Sequence, residues 1–128
     1  MPDIDALPGA PELIRWFGGW PSFHDAEVLS LSLERGSESR LRIHTWKNTG
    51  QTDANGFFVP EKHVVVTFVM TGVTGLELAG FSHQNVIFGL DLKPTETGFR
   101  LELYPCYGIS GSLCCDVVSI LFEPGPPL

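Results

Sequence analysis

The sequence is short of basic residues, with 8 Lys and Arg against 15 Asp and Glu in 128 residues, and its formal net charge is −7. Neither half is basic: residues 1–64 carry −3 (9 acidic, 6 basic) and residues 65–128 carry −4 (6 acidic, 2 basic). Proteins that bind nucleic acids draw affinity from Lys and Arg that neutralise phosphates, so nucleic acid is disfavoured as a partner. The charge favours a basic protein partner, although net charge of this size also serves solubility alone.

The sequence also lacks a long apolar run and a recognisable targeting segment. Residues 1–5 contain no basic side chain, and no apolar stretch of membrane-spanning length follows them. These features predict a cytoplasmic protein with no membrane partner.

Cysteine is scarce and poorly spaced for cross-linking or metal binding. The three cysteines are Cys106, Cys114 and Cys115, an odd number without the C-x-x-C spacing of redox and zinc sites. We therefore expect reduced thiols that pack as small hydrophobic groups, and we predict no cofactor and no metal. Phosphate-binding, dinucleotide-binding and nucleophile-elbow motifs are absent as well, so no catalytic residue is predicted.

The remaining pattern is that of short strands separated by turns. Residues 27–35 alternate, with Leu29, Leu31 and Leu33 on one side, and residues 40–47 alternate again, which predicts an antiparallel hairpin. Further strands are predicted at residues 64–70, 76–80, 85–92, 99–104 and 116–122.

A short helix is predicted at residues 11–17, with Pro11 in its first turn and Gly18 ending it. We predict a mainly β (α+β) fold, an antiparallel sheet or sandwich of about six to eight strands with this helix packed on it. Residues 1–128 are expected to form one domain, with residues 123–128 as a Pro/Gly-rich tail.

The most distinctive stretch follows the helix and brings aromatic rings, turn formers and a His-Asp pair together ahead of a strand. Its residues are Trp20, Pro21, Ser22, Phe23, His24 and Asp25. The stretch resembles the immunity protein 50 family, small bacterial proteins found beside polymorphic toxins, in which a short helix runs into a Trp-Pro-Ser-Phe-His-Asp-Ala turn and then a strand. Beyond residue 33 the resemblance consists of a similar succession of apolar strands. It implies a non-catalytic immunity protein that binds and neutralises a cognate toxin domain, with a basic nuclease as the expected toxin.

His24 and Asp25 have more than one interpretation. Metal-dependent phosphohydrolases also use a His-Asp pair, but they gather further ligands from neighbouring helices that this sequence does not contain. We favour a structural role, with Asp25 hydrogen-bonding within the turn and His24 packing beside Trp20. Contact with a protein partner is the second interpretation.

The four histidines, His24, His44, His63 and His83, are 20, 19 and 20 residues apart. This spacing allows three of them to meet on adjacent strands, with Asp25 or Glu27 as a carboxylate ligand, and so to form a zinc site. A small metal- or His-dependent enzyme is therefore one alternative function. A ligand-binding β domain is another.

Aromatic side chains that the core does not need are candidates for an interface, because interface centres favour Trp, Tyr and Phe. Trp46 shares a predicted strand face with Arg42 and His44, and Phe57 and Phe58 follow a long polar loop. The candidate partner-binding residues are Trp46, Phe57, Phe58, His24 and Asp25.

Overall fold

The computed structural model describes residues 4–127, apart from the side chains of Thr49 and of residues 58–60. Within that part the chain forms a single antiparallel sheet of eight strands, preceded by a 3-10 turn and one short helix. The predicted fold class is confirmed. The elements are a 3-10 turn (Ile4–Ala6), α1 (Ala10–Phe17), β1 (Glu27–Ser32), β2 (Ser39–Thr52), β3 (Phe58–Thr71), β4 (Thr74–Ala79), β5 (Val86–Pro94), β6 (Phe99–Tyr107), β7 (Ser110–Cys115) and β8 (Val117–Pro124).

The sheet consists of two four-stranded halves that meet at a narrow junction. The strand order is β4-β7-β6-β5-β1-β2-β3-β8, and β1 and β5 share one pair of facing residues, Glu27 and Val86. Two backbone hydrogen bonds flank that pair, from Val28 N–H to the Asn85 carbonyl (2.8 Å) and from Ile87 N–H to the Ala26 carbonyl (2.9 Å). We call this junction the seam. Buried side chains from both halves form one hydrophobic cluster, so each half turns one face towards a shared core.

The apolar run at residues 64–70 shows how β3 meets that core. Val66 and Phe68 point inward and have no exposed surface. Val65 and Val69 point to the other face and are still only 7% and 4% exposed. The run therefore behaves as the sequence predicts, as a strand with apolar side chains covered on both faces.

The helix is fixed against the edge strand β8 at its N-terminal end. Ile120 N–H donates to the Pro8 carbonyl (2.7 Å), and Gly9 has a φ of 88°. A Cβ atom at Gly9 would lie 1.8 Å from the Ile120 carbonyl oxygen, so only glycine fits this approach.

The described residues include no helix with the length and apolar character that a membrane span requires.

The C-terminal end of the helix is held by two lysines. Lys47 Nζ donates to the Phe17 carbonyl (3.4 Å), and Lys62 Nζ donates to the Trp16 carbonyl (2.8 Å). Cations are favourable at this end because the helix dipole is negative there. The two contacts tie α1 to β2 and β3.

Bulges interrupt the regular alternation of three strands near the seam. The extra residue lies between Val28 and Ser30 in β1, between Glu61 and Val64 in β3, and around residues 87–89 in β5. An extra residue in one strand reverses the side on which the following residues lie.

The bulge in β1 changes which side chains enter the core. The sequence predicts Leu29, Leu31 and Leu33 on one common face, opposite Val28. In the structure Val28 is in the core at 2% exposure, whereas Leu33 is 44% exposed.

Candidate functional site

The first half of the distinctive turn packs into the core. The Phe23 ring is fully buried, with its centroid 5.9 Å from that of Trp20 and 5.8 Å from that of Phe68. Pro21 is also buried, whereas Ser22 is exposed and its Oγ accepts the His24 N–H at 3.3 Å. The aromatic part of the motif therefore holds the turn against β3.

His24 and Asp25 project from the turn into solvent, with side chains 53% and 57% exposed. The sequence predicts that His24 packs beside Trp20, but in the structure the Trp20 ring contacts Phe23 and Phe68. Instead, the His24 ring meets the edge of the Phe88 ring, with centroids 4.9 Å apart, and its Nδ1 lies 3.1 Å from the Phe88 carbonyl oxygen. Its Nε2 lies 3.5 Å from Asp25 Oδ2.

A second group of rings lies on the outward face of β2 and β3. The His44 and His63 rings are stacked, with centroids 5.2 Å apart, and His44 Nε2 is 3.0 Å from His63 Nδ1. The Trp46 ring centroid is 5.2 Å from that of His44 and 6.0 Å from that of His63. The sequence places Trp46 on one face with His44 but does not predict that His63 joins them, because this contact depends on how β3 pairs with β2.

The histidine pair has a defined protonation requirement. A hydrogen bond between two imidazole nitrogens needs one to donate and one to accept, so at least one ring is neutral. Burial lowers the pKa of His44, the neighbouring His63 lowers it further, and Glu27 acts in the opposite direction. The surroundings of His44 therefore favour its neutral form at pH 7.

The even spacing of the histidines does not bring three of them together. His24 lies at Phe88, and His83 lies beside Tyr107 with ring centroids 6.3 Å apart. No group of three or more His, Cys, Asp or Glu side chains in the described part of the chain is arranged to hold a metal ion. The three-histidine zinc site considered from the sequence is therefore not assembled.

Phe57 lies in the tight turn that joins β2 and β3. Asp53 Oδ1 accepts the backbone N–H groups of Asn55 (2.9 Å) and Phe57 (3.0 Å), and Gly56 N–H donates to the Asp53 carbonyl (3.0 Å). The turn presents the Phe57 ring at 69% exposure. The side chain of Phe58 is outside the described residues.

Strand register places the two groups of rings on one continuous outer face. Tyr107 pairs with Val86, Val86 with Glu27, and Glu27 with His44. Paired residues share a face, and Ile43 on the same strand as His44 is buried on the opposite face. Three strand spacings separate Tyr107 from His44 by about 14 Å. We call this surface the seam face, and its residues are Glu27, His44, Trp46, His63, Phe88 and Tyr107.

A bulge brings Phe88 to the seam face. Leu90 and Leu92 point into the core, and strict alternation would turn Phe88 inward with them. The register shift around residues 87–89 instead leaves Ile87 buried and Phe88 61% exposed. Gly89 is the one sequence signal for this change, because glycine within a strand often marks a bulge.

Two cavities in the described part of the chain lie away from the predicted site residues. One of about 490 Å³ is formed between α1 and β8 and includes Pro8 and Phe122 in its lining. Another of about 470 Å³ lies between the β1–β2 turn and β4, beside Leu33 and Leu76. Neither of these two includes a histidine or one of the candidate partner-binding residues.

Comparison with protein families gives a match over most of the chain. The family model described as immunity protein 50 matches residues 9–122, which is most of the 128-residue chain. The matched region includes the helix, the distinctive turn and the seam face. No curated protein and no solved structure matches the chain.

Proposed function

The chain belongs to the immunity protein 50 family, and from this premise we propose that it binds a cognate toxin domain and neutralises it without catalysing a reaction. The family match over residues 9–122 carries the proposal. The proposal includes a cytoplasmic setting and one immunity-protein-like domain over residues 1–128, ending in a Pro/Gly-rich tail at residues 123–128. It assigns no role to nucleic acid, a membrane or a cofactor.

We further propose that the toxin is a basic nuclease. A nuclease domain carries Lys and Arg to bind phosphates. The net charge of −7 on this chain complements such a surface and would accelerate encounter of the two proteins.

Of the residues that we propose to contact the toxin, His24, Asp25 and Phe57 are exposed and Trp46 is half-buried. His24 and Asp25 are more than half exposed, and Trp46 is half-buried beside two histidines. Phe57 is presented by a hydrogen-bonded turn, and Phe58 follows it in sequence. Aromatic side chains held in fixed positions bind a partner with little loss of conformational entropy.

Co-expression tests the proposed partner. The chain and the toxin domain encoded next to its gene are produced together, with the toxin domain alone as the control. We expect cells to survive when both are present and the two proteins to copurify as a stable complex. Cell death in both cultures, with no complex, would contradict the immunity function for this pair.

Titration tests the absence of catalysis. Increasing amounts of the purified chain are added to a fixed amount of toxin, and residual toxin activity is measured. A tight non-catalytic inhibitor removes activity in proportion to its amount and completes inhibition near one equivalent. Full protection at a small fraction of an equivalent would show turnover and would contradict a binding-only mechanism.

A further inference from the structure

Glu27 occupies the centre of the seam face without a cation of its own. Its side chain is half-buried between His44 on β2 and Val86 on β5. It forms no salt bridge with any residue that the structure describes. The carboxylate oxygens of Glu27 can therefore accept hydrogen bonds from an external partner.

The basic side chains nearest in sequence to His44 and His63 are directed elsewhere. Arg42 shares the outward face of β2 with His44, but its Nη1 is directed to Ser30 Oγ at 3.5 Å. Lys47 and Lys62 donate to carbonyls at the end of α1. None of these three neutralises Glu27.

Aromatic and imidazole rings lie on both sides of Glu27. His44, stacked on His63 and close to Trp46, lies on one side. Phe88 and Tyr107, which are 61% and 52% exposed, lie on the other. A guanidinium group pairs with a carboxylate through two parallel hydrogen bonds while its flat faces stack on rings, a combination that an ammonium group cannot match.

We propose that the seam face is the toxin-binding surface and that it receives an arginine side chain of the toxin, which forms a salt bridge with Glu27 and stacks on the rings beside it. This inference rests on the proposed function, since it names the chemistry of the same partner. The span of about 14 Å across the seam face fits within a protein interface of ordinary size. Glu27 would be buried by the partner, where a charge-assisted hydrogen bond is strongest.

The test compares two single charge changes in the full chain against the purified toxin domain, inactivated at its catalytic site. Glu27→Gln removes the proposed anchor and keeps the shape of the side chain. Glu96→Gln removes the same charge from the exposed turn between β5 and β6. Isothermal titration calorimetry gives the dissociation constants, and thermal melting confirms that both variants fold.

We expect Glu27→Gln to weaken binding at least tenfold and to reduce its dependence on salt, and Glu96→Gln to change binding by less than about twofold. Phe88→Ala provides a second variant on the same face and is expected to weaken binding about fivefold or more. If the wild-type chain binds and both seam-face variants bind equally well, this inference is overturned while the proposed function stands. If the wild-type chain does not bind, the proposed function fails and this inference fails with it.

Discussion

Two outward regions of the same sheet combine charges and rings in different ways. On the seam face, Glu27 forms no salt bridge with any side chain that the structure describes. The other region, on the outward side of β5 and β6, pairs its charges internally. We call that region the ion-pair grid, and its residues are Asp91, Lys93, Arg100, Glu102 and Tyr104.

The charged and polar side chains of the ion-pair grid bond to one another. Arg100 Nε lies 2.8 Å from Glu102 Oε1, and Lys93 Nζ lies 3.7 Å from Asp91 Oδ2. The Tyr104 hydroxyl lies 2.8 Å from Asp91 Oδ2 and 3.1 Å from Glu102 Oε2. Exposed pairs of this kind add little stability, but they cancel the charge that a partner would recognise. The number of charged residues on a face therefore does not by itself locate a binding surface.

The largest effect is expected from the buried support of the turn that carries His24, next to the seam face. Phe23→Ala removes a fully buried ring that contacts Trp20 and Phe68 beneath the turn carrying His24. We expect a loss of about 3–5 kcal/mol in the free energy of unfolding, measured by chemical denaturation. Phe88→Ala, which truncates an exposed ring of the same type, is the matched control and should change stability by less than about 0.5 kcal/mol. Equal losses in the two variants would show that the turn does not rest on the core as described.

Asn85 tests how the seam is held together. Its Oδ1 accepts the N–H groups of Ser82 (2.9 Å) and Ile109 (3.1 Å), and its Nδ2 donates to the Ser82 carbonyl (2.8 Å). The residue is 3% exposed, so Asn85→Ala leaves polar groups unsatisfied in the interior and should cost about 1–3 kcal/mol. The exposed Asn55→Ala should stay within about 0.5 kcal/mol. A small effect of Asn85→Ala on the denaturation midpoint would mean that water replaces the lost bonds.

Local patterns predicted the helix and seven of the eight strands, but they missed β7 (Ser110–Cys115) and did not predict the seam face. The helix and the hairpin of β1 and β2 follow from the proline and glycine positions and from the alternation of apolar residues. The outward position of Phe88 depends on a bulge, which one glycine signals only weakly. The stacking of His63 on His44 depends on register between strands, and the period of one strand does not contain that information.

The histidine pair gives the seam face a response to mild acid that the grid lacks. The folded-state pKa of His44 is lowered below its ordinary value of 6.5, chiefly by burial and also by His63, with Glu27 opposing. The unfolded chain therefore takes up the proton first as pH falls. The stability linked to His44 is present above pH 6.5 and is lost as pH falls through the folded-state pKa below that value.

Comparison of variants isolates this response. The denaturation midpoint is measured at about pH 7.5 and about pH 5.5 for the wild type, His44→Gln and, as the control, the exposed His83→Gln. We expect the fall in midpoint to be smaller in His44→Gln than in the wild type and unchanged in His83→Gln. An equal fall in all three proteins would place the acid sensitivity in the carboxylates instead.

The smallest expected effect is a change in the pKa of the Tyr104 hydroxyl in the ion-pair grid. Hydrogen bonds to Asp91 and Glu102, reinforced by their negative charges, raise the pKa of Tyr104 to about 12. The chain has two tyrosines, so Tyr104→Phe leaves Tyr107 alone and the difference in phenolate absorbance during an alkaline titration belongs to Tyr104. We expect a transition near pH 12 that moves towards the ordinary value of 10.0 when Asp91→Asn and Glu102→Gln are combined. Circular dichroism at each pH checks that the sheet is intact.

An unchanged transition in that double variant would show that the hydroxyl is not held by the two carboxylates. The grid would then have acceptors to offer a partner, and its contrast with Glu27 would disappear. If the transition moves as expected, the Tyr104 hydroxyl donates to carboxylates within the ion-pair grid. That result supports the contrast between the grid and Glu27. Glu27 has no salt-bridge partner among the described residues, and this is the difference between the two regions.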